Sequence, residues 1–145
     1  MTDVIAKSGP MLTAEELHSL LFLRVDVFVV EQRLAYADID GLDLLPSTYH
    51  FWVADDSKAV STVRVVVDGP DMRIGRVCTD GRYRRRGLAL LLMKAAVSAF
   101  SEHSLILDGQ THIAELYRKC GFVASGADFL DDGILHTPMR RSAST

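Results

Sequence analysis

Val77-Cys78-Thr79-Asp80-Gly81-Arg82-Tyr83-Arg84-Arg85-Arg86-Gly87-Leu88-Ala89 is the stretch whose reading decides the fold. It closes a segment, Met72 to Thr79, that reads as a strand. It opens a Leu, Ala and Met run, Leu88 to Phe100, that reads as a helix apolar enough to lie under a sheet. A strand thus feeds a helix through a basic, glycine-bearing loop. The first N–H groups of such a helix lack intrahelical partners and sit at the positive end of its dipole, which makes a ready anion site. Gly87 lets an anion approach the backbone closely, and small Ala89 leaves the first turn uncluttered. Arg84, Arg85 and Arg86 add charge-assisted bonds suited to a ligand with two or three phosphates. The plainer reading is an exposed basic helix start. Neither G-x-x-x-x-G-K-S/T nor a G-x-G-x-x-G after a strand is present, so nucleotide hydrolysis and dinucleotide binding recede.

Working outward, Tyr49 to Ala54 and Val60 to Val67 read as two further strands. Short turns separate them from each other and from Met72 to Thr79, so the three form an antiparallel meander. Before them, Thr13 and Glu16 have the form of a capping box, and apolar spacing from Leu17 to Phe28 continues a helix from about Ala14 to Glu31. Gln32 to Thr48 then loses periodicity and carries Asp38, Asp40, Gly41, Asp43 and Pro46, a long acidic loop. After the apolar helix come a short strand, Ser104 to Leu107, a short helix, His112 to Lys119, closed by Gly121, and a hairpin of Phe122 to Phe129 with Ile134 to Met139. The order predicts an α/β fold, a mixed sheet covered by helices.

With 145 residues, 48% of them hydrophobic, the chain fits a single domain spanning 1–145, with 140–145 as a flexible tail. A net charge of −3 offers no bulk attraction for nucleic acid. No run approaches a membrane span, and Met1 to Leu17 lacks the pattern of a secretory signal. Cys78 and Cys120 form no zinc-type set and no C-x-x-C pair, which points to free thiols in a reducing, cytoplasmic compartment without a bound metal. The chain is expected as a monomer or homodimer.

Arg84-x-x-Gly87-x-Ala89, between a strand and an apolar helix, resembles the coenzyme A pyrophosphate motif R-x-x-G-x-G/A of the GNAT N-acetyltransferases. Arg24-x-x-Val27-Phe28-Val29-Val30-Glu31-Gln32 and Tyr36-x-Asp38-Ile39-Asp40-Gly41-x-Asp43 resemble the N-terminal signature of the ElaA-type subfamily. Gly109-Gln110-Thr111-His112 through Tyr117, Cys120-Gly121-Phe122 and Asp132-Gly133-Ile134-x-His136-x-x-Met139 resemble its C-terminal half. The resemblance covers nearly the whole chain. It implies a largely antiparallel mixed sheet splayed between its fourth and fifth strands, flanked by helices. It also implies acetyl-coenzyme A as cosubstrate, held by Val77, Cys78, Thr79, Arg84, Arg85, Arg86, Gly87, Leu88, Ala89, Gln110 and Tyr117. The Arg85-Arg86 pair is a departure that would favour the adenosine 3'-phosphate.

Aminolysis of a thioester needs a neutral amine, an oxyanion donor and a proton source for the departing thiolate. The resemblance makes Tyr117 the proton donor; the plainer reading is an aromatic packed between helix and sheet. A backbone N–H of Cys78 or Thr79 would bind the oxyanion, and a route through an acetyl-cysteine stays open. Glu31, His112 and His136 are all candidates for the base, imidazole titrating near neutral pH. Phe28, Glu31, Asp38, Asp40 and His136 are expected to shape the acceptor site. There the acidic loop, with Asp131 and Asp132, would draw a cationic amine of a small molecule or peptide; a solvated acidic surface is the alternative. The competing functions are an acyl-coenzyme A-binding regulatory module without turnover and an acyl-phosphate- or nucleotide-binding protein that uses the arginines alone.

Overall fold

In the computed structural model, which describes residues 3–144, the meander grows by one strand at its outer edge. Ile5–Ser8 (β1) pairs antiparallel with Tyr49–Asp55 (β2), followed by Lys58–Asp68 (β3) and Asp71–Thr79 (β4). Leu105–Gln110 (β5) pairs parallel with β4, and Ile134–Arg141 (β8) pairs antiparallel with β5. Val123–Ala124 (β6) and Phe129–Asp131 (β7) both pair with β8. The sheet is therefore mixed and largely antiparallel, ordered β1-β2-β3-β4-β5-β8-β6.

Ala14–Arg24 (α1) covers one face and Leu88–Ala99 (α2) with Ala114–Arg118 (α3) the other. Strand alternation divides the core between them: Phe51 and Val53 pack towards α2, whereas Trp52 packs with Leu20, Leu23 and Val27 on the α1 side. The capping box forms as expected, Glu16 N–H donating to Thr13 Oγ1 at 3.1 Å and Thr13 N–H to Glu16 Oε1 at 2.9 Å.

Several expectations need correction. The helix does not stay α-helical to Glu31: Val25–Glu31 is π-helical, with Gln32 N–H bonded to Val27 O at 3.0 Å. Val25, Val27, Val29 and Val30 crowd this part, and the widened turns re-aim it. The last hairpin is broken, because Ser125 to Asp128 separates β6 from β7, so each reaches β8 as a separate short strand. Arg140 and Arg141 are not tail but ladder residues, opposite Ile106 and Leu105.

The feature that shapes the site lies in β4. Arg64 opposes Gly75 and Thr62 opposes Cys78, so Arg76 and Val77 together face Val63 alone, and Arg76 takes φ +50°. This bulge flips the strand's phase: Met72 and Ile74 point to the α2 side, Cys78 to the α1 side. The β4–β5 pairing stops at Arg73 opposite Ile106. Beyond it the strands part.

Candidate active site

The parting of β4 and β5 opens a cleft of about 870 Å³. From Ile74 to Thr79 the β5-facing edge of β4 has no strand partner, which leaves backbone groups for a ligand lying along it. Val77, Cys78 and Thr79 line this edge, and Gln110 lies on the opposite wall. Cys78 is buried, and burial pushes its thiol well above the usual range, which disfavours the thiolate.

At one end of the cleft stand Arg84, Arg85, Gly87, Leu88 and Ala89. Gly87 is the N-cap of α2 at φ +76°, a left-handed turn that favours glycine, with no side chain capping the first turn and nothing within 4 Å of where a Cβ would project. The N–H groups of the first turn therefore face the cleft without a side-chain partner, and the residues fit a pyrophosphate. Arg85 also lies at positive φ, +64°. Arg86 departs from expectation: it turns out of the cleft, its guanidinium 5.0 Å from the Tyr83 ring and donating to Arg82 O at 3.2 Å.

Arg84 reaches across to α1's π-helical end and grips Glu31 with two bonds, Nη1 to Oε2 at 2.5 Å and Nη2 to Oε1 at 2.7 Å, while Nε donates to Thr79 O. The Arg84 hydrogen bonds hold the Glu31 carboxyl below its usual range. Glu31 lines the cleft as expected, but a carboxylate so paired is a weakened base.

Tyr117 is buried on α3 against β5, and burial pushes its phenol well above the usual range. Its ring occupies the space that only glycine leaves: a Cβ at Gly109 would lie 2.4 Å from Tyr117 Cε2. No protein group among the described residues hydrogen-bonds its hydroxyl, yet Tyr117 lines the cleft. Such a phenol holds its proton at neutral pH and can give it to a developing thiolate.

On the α1 face of the sheet the cleft is walled by Phe28, Gln32, Leu34, Tyr36, Gln110, Asp131, Asp132 and His136; exposed His112 also lines it. Gln110 Nε2 donates to Gln32 Oε1 at 3.2 Å, and Phe28 meets Tyr36 edge-on with ring centroids 6.1 Å apart.

Asp38, Asp40 and Asp43 do not line the cleft. They belong instead to an ion network with three arginines. Arg24 of α1 donates to Asp38 Oδ2 at 3.0 Å and Asp43 Oδ1 at 2.6 Å; Arg64 of β3 reaches Asp40 Oδ2 at 2.7 Å and Asp43 Oδ1 at 3.0 Å. The bulge residue Arg76 donates from Nη2 to Asp38 O and Asp40 Oδ2, both at 3.1 Å. Its Nε lies 3.1 Å from Asp38 Oδ1, in ion-pair range although the N–H does not point at the oxygen. Its guanidinium lies over the Tyr36 ring, 5.3 Å from the centroid. Burial raises the Asp40 carboxyl, but the Arg64 hydrogen bonds and its other partners outweigh that and hold it at about 2. The expected attraction of the acidic loop for a cationic amine is thus cancelled internally: each carboxylate is spent on an arginine. Asp131 and Asp132 are the expected acids that remain on the cleft wall without an ion pair among the described residues.

Reading by sequence missed Arg76, whose left-handed conformation has no signature in its residue type. It also missed Gly109, which a glycine inside a strand, marking close approach, could have revealed.

A sequence model described as an acetyltransferase (GNAT) domain matches residues 26–143. A UPF0039 protein of Mycobacterium tuberculosis (strain ATCC 25618 / H37Rv) is 41% identical over 138 residues, 92% of this chain and 88% of that protein. Protein ElaA of Escherichia coli (strain K12) is 31% identical over 137 residues, 90% of each chain. The crystal structure of E. coli ElaA superposes with a TM-score of 0.91 at 28% identity, covering 97% of this chain and 99% of the other. An acyl-CoA N-acyltransferase from Pseudomonas aeruginosa superposes with a TM-score of 0.90 at 35% identity, with the same coverage. These matches run over nearly the whole chain, and it belongs to the GNAT acetyltransferase family, with ElaA among its homologues.

Proposed function

We propose that the chain moves an acetyl group from acetyl-coenzyme A to a primary amine of a small molecule or peptide, by direct attack within a ternary complex in a reducing, cytoplasmic setting. The observation that carries this is the shared cleft in which the uncapped start of α2, the unpaired edge of β4 and the Tyr117 phenol converge. Gly87, Leu88 and Ala89 would hold the pyrophosphate, β4 the pantetheine arm, and Tyr117 would supply the proton to sulfur. Backbone N–H groups of Cys78 or Thr79 would stabilise the oxyanion. Direct attack is favoured over an acetyl-cysteine because Cys78 is buried and its thiol strongly raised. Similarity to an acyl-CoA N-acyltransferase at 35% identity supports nitrogen as the acceptor.

The amine is supported by Asp131 and Asp132 on the cleft wall rather than by the 32–48 loop. The test follows free thiol released from acetyl-coenzyme A with spermidine, kanamycin, lysine and a tripeptide as separate acceptors. Turnover that requires one of them, with no acetylated enzyme formed in its absence, is the expected result. Tight coenzyme binding without turnover on any amine would instead make the chain a regulatory acyl-coenzyme A-binding module.

A further inference from the structure

An amine that attacks a thioester must lose a proton, and Tyr117, which holds its own, cannot take it. His136 sits in β8 opposite Gln110 of β5 and Phe129 of β7. Directly opposed residues in antiparallel strands share a face. Gln110 reaches Gln32, which caps the π-helical segment that continues α1, so that face is the α1 side. Gly109, one residue earlier, faces the other way and carries the Tyr117 ring against it. Acid and histidine therefore lie on opposite faces of the sheet, joined through the opening between β4 and β5.

The tautomer of His136 is set by its own strand. Nδ1 lies 2.8 Å from Ile134 O, and a carbonyl only accepts, so Nδ1 carries the hydrogen and the lone pair of the neutral ring is on Nε2. No hydrogen bond from the described residues occupies Nε2. The ring stacks on Phe129, centroids 5.8 Å apart and planes 22° apart, which holds its direction. By contrast, Glu31 is held by Arg84, and exposed His112 has, among the described residues, no bond that selects a tautomer.

We infer that His136 is the general base, taking the acceptor amine's proton at Nε2 on the face of the sheet opposite Tyr117; this rests on the N-acyl transfer proposed above. The amine lone pair forms the C–N bond, the carbonyl π pair moves to oxygen, and the N–H proton passes to Nε2. On collapse the C–S bond breaks with its pair on sulfur, which takes the Tyr117 proton. Solvent then removes the proton from His136 and returns one to Tyr117, leaving an amide and a free thiol. The charged and titratable groups sharing this end of the cleft are Asp131 of β7, Asp132 of the following turn, His112 before α3, Tyr36 bonded to Asp38, Glu31 paired with Arg84, and Arg76 paired with Asp38 and Asp40.

The experiment compares wild type, His136→Gln and His136→Ala with acetyl-coenzyme A and whichever of the four amines wild type accepts. Both variants should keep coenzyme affinity and lose about 10²–10⁴-fold in kcat, with the acid limb of the wild-type pH profile gone. Added imidazole should restore part of the rate to the Ala variant and none to the Gln variant. A kcat within about twofold of wild type, or an acid limb unchanged in the Gln variant, would overturn the assignment. So would a loss that imidazole does not mend and that coenzyme affinity follows in step, which would make the ring a packing residue. Wild type inactive on every amine would remove the parent reading itself, a result distinct from active wild type with equally active variants.

Discussion

At the residue scale, Tyr117 and Gly109 make one device. As the proposed proton donor, the phenol hydroxyl would matter in the transition state only, so Tyr117→Phe should leave coenzyme affinity intact while kcat falls by about 10²–10⁴-fold. Gly109→Ala should act on the same step without touching the hydroxyl. The added Cβ meets Tyr117 Cε2 at 2.4 Å, so the ring must shift, and overpacking of this kind costs about 1–3 kcal/mol. Steady-state kinetics of the two variants and the double mutant check the coupling: the Gly109→Ala change should cost much less kcat when combined with Tyr117→Phe than in wild type. Gly87→Glu belongs here too. At φ +76° a side chain is strained, and a carboxylate would stand where the proposed pyrophosphate would approach, so isothermal titration with acetyl-coenzyme A should show binding abolished in a folded protein.

At the scale of elements, the acidic loop, α1, β3 and the bulge of β4 are tied together by one charge network. Three arginines meet three carboxylates, and the loop is further pinned by Gly9 N–H to Thr48 O at 2.9 Å and by His50 Nε2 donating to Asp43 O at 2.9 Å. The loop thus holds the left-handed Arg76 in place, and with it the bend that parts β4 from β5. Arg76→Gly separates the two roles. Glycine takes φ +50° freely, a relief of about 1–2 kcal/mol that offsets the charge-assisted bonds lost, worth about 1.5–3 kcal/mol. Melting temperature should therefore change little. Amide hydrogen exchange at Val77 to Thr79 should quicken and coenzyme affinity should fall. Unaltered exchange and affinity would leave Arg76 as a surface ornament of the network. Arg24→Met removes the buried cation that Asp38 and Asp43 share, leaving Arg76 and Arg64 alone to face them, and the expected loss is global, up to about 3–5 kcal/mol by denaturant titration.

For the whole molecule the same network sets the response to acid. Burial pushes the His50 imidazole below the ordinary value of 6.5, so the unfolded chain binds this proton first and stability falls as pH drops below that value. The depressed Asp40 acts in the same sense at lower pH: its contribution is complete above the ordinary 3.8 and is lost as pH falls through about 2. His50→Gln should flatten the stability profile just below pH 6.5, by at most about 1.4 kcal/mol per pH unit, and leave the acid end unchanged. Unfolding is expected as a single transition, with the fluorescence of Trp52, buried under α1, changing together with far-UV dichroism.

The helix–sheet order, the capping box, the antiparallel meander and the basic loop before α2 were legible in the sequence, because each rests on local propensity or on the spacing of neighbours along the chain. The strings around Phe28, Gly87, Tyr117 and His136 pointed to the family through their resemblance to its motifs. What the tertiary structure decided were matters of partnership across space. Asp38, Asp40 and Asp43 look like free acids in a row, yet Arg24, Arg64 and Arg76 come from three other elements to neutralise them. Ile5–Ser8 is too short to announce itself, and becomes a strand because β2 offers an unpaired edge. The sequence alone could not choose among Glu31, His112 and His136. Only folding sets Arg84 against the first, leaves the second without an orienting bond among the described residues, and turns the Nδ1–H of the third onto a carbonyl two residues away, so that the lone pair of its neutral ring is on Nε2.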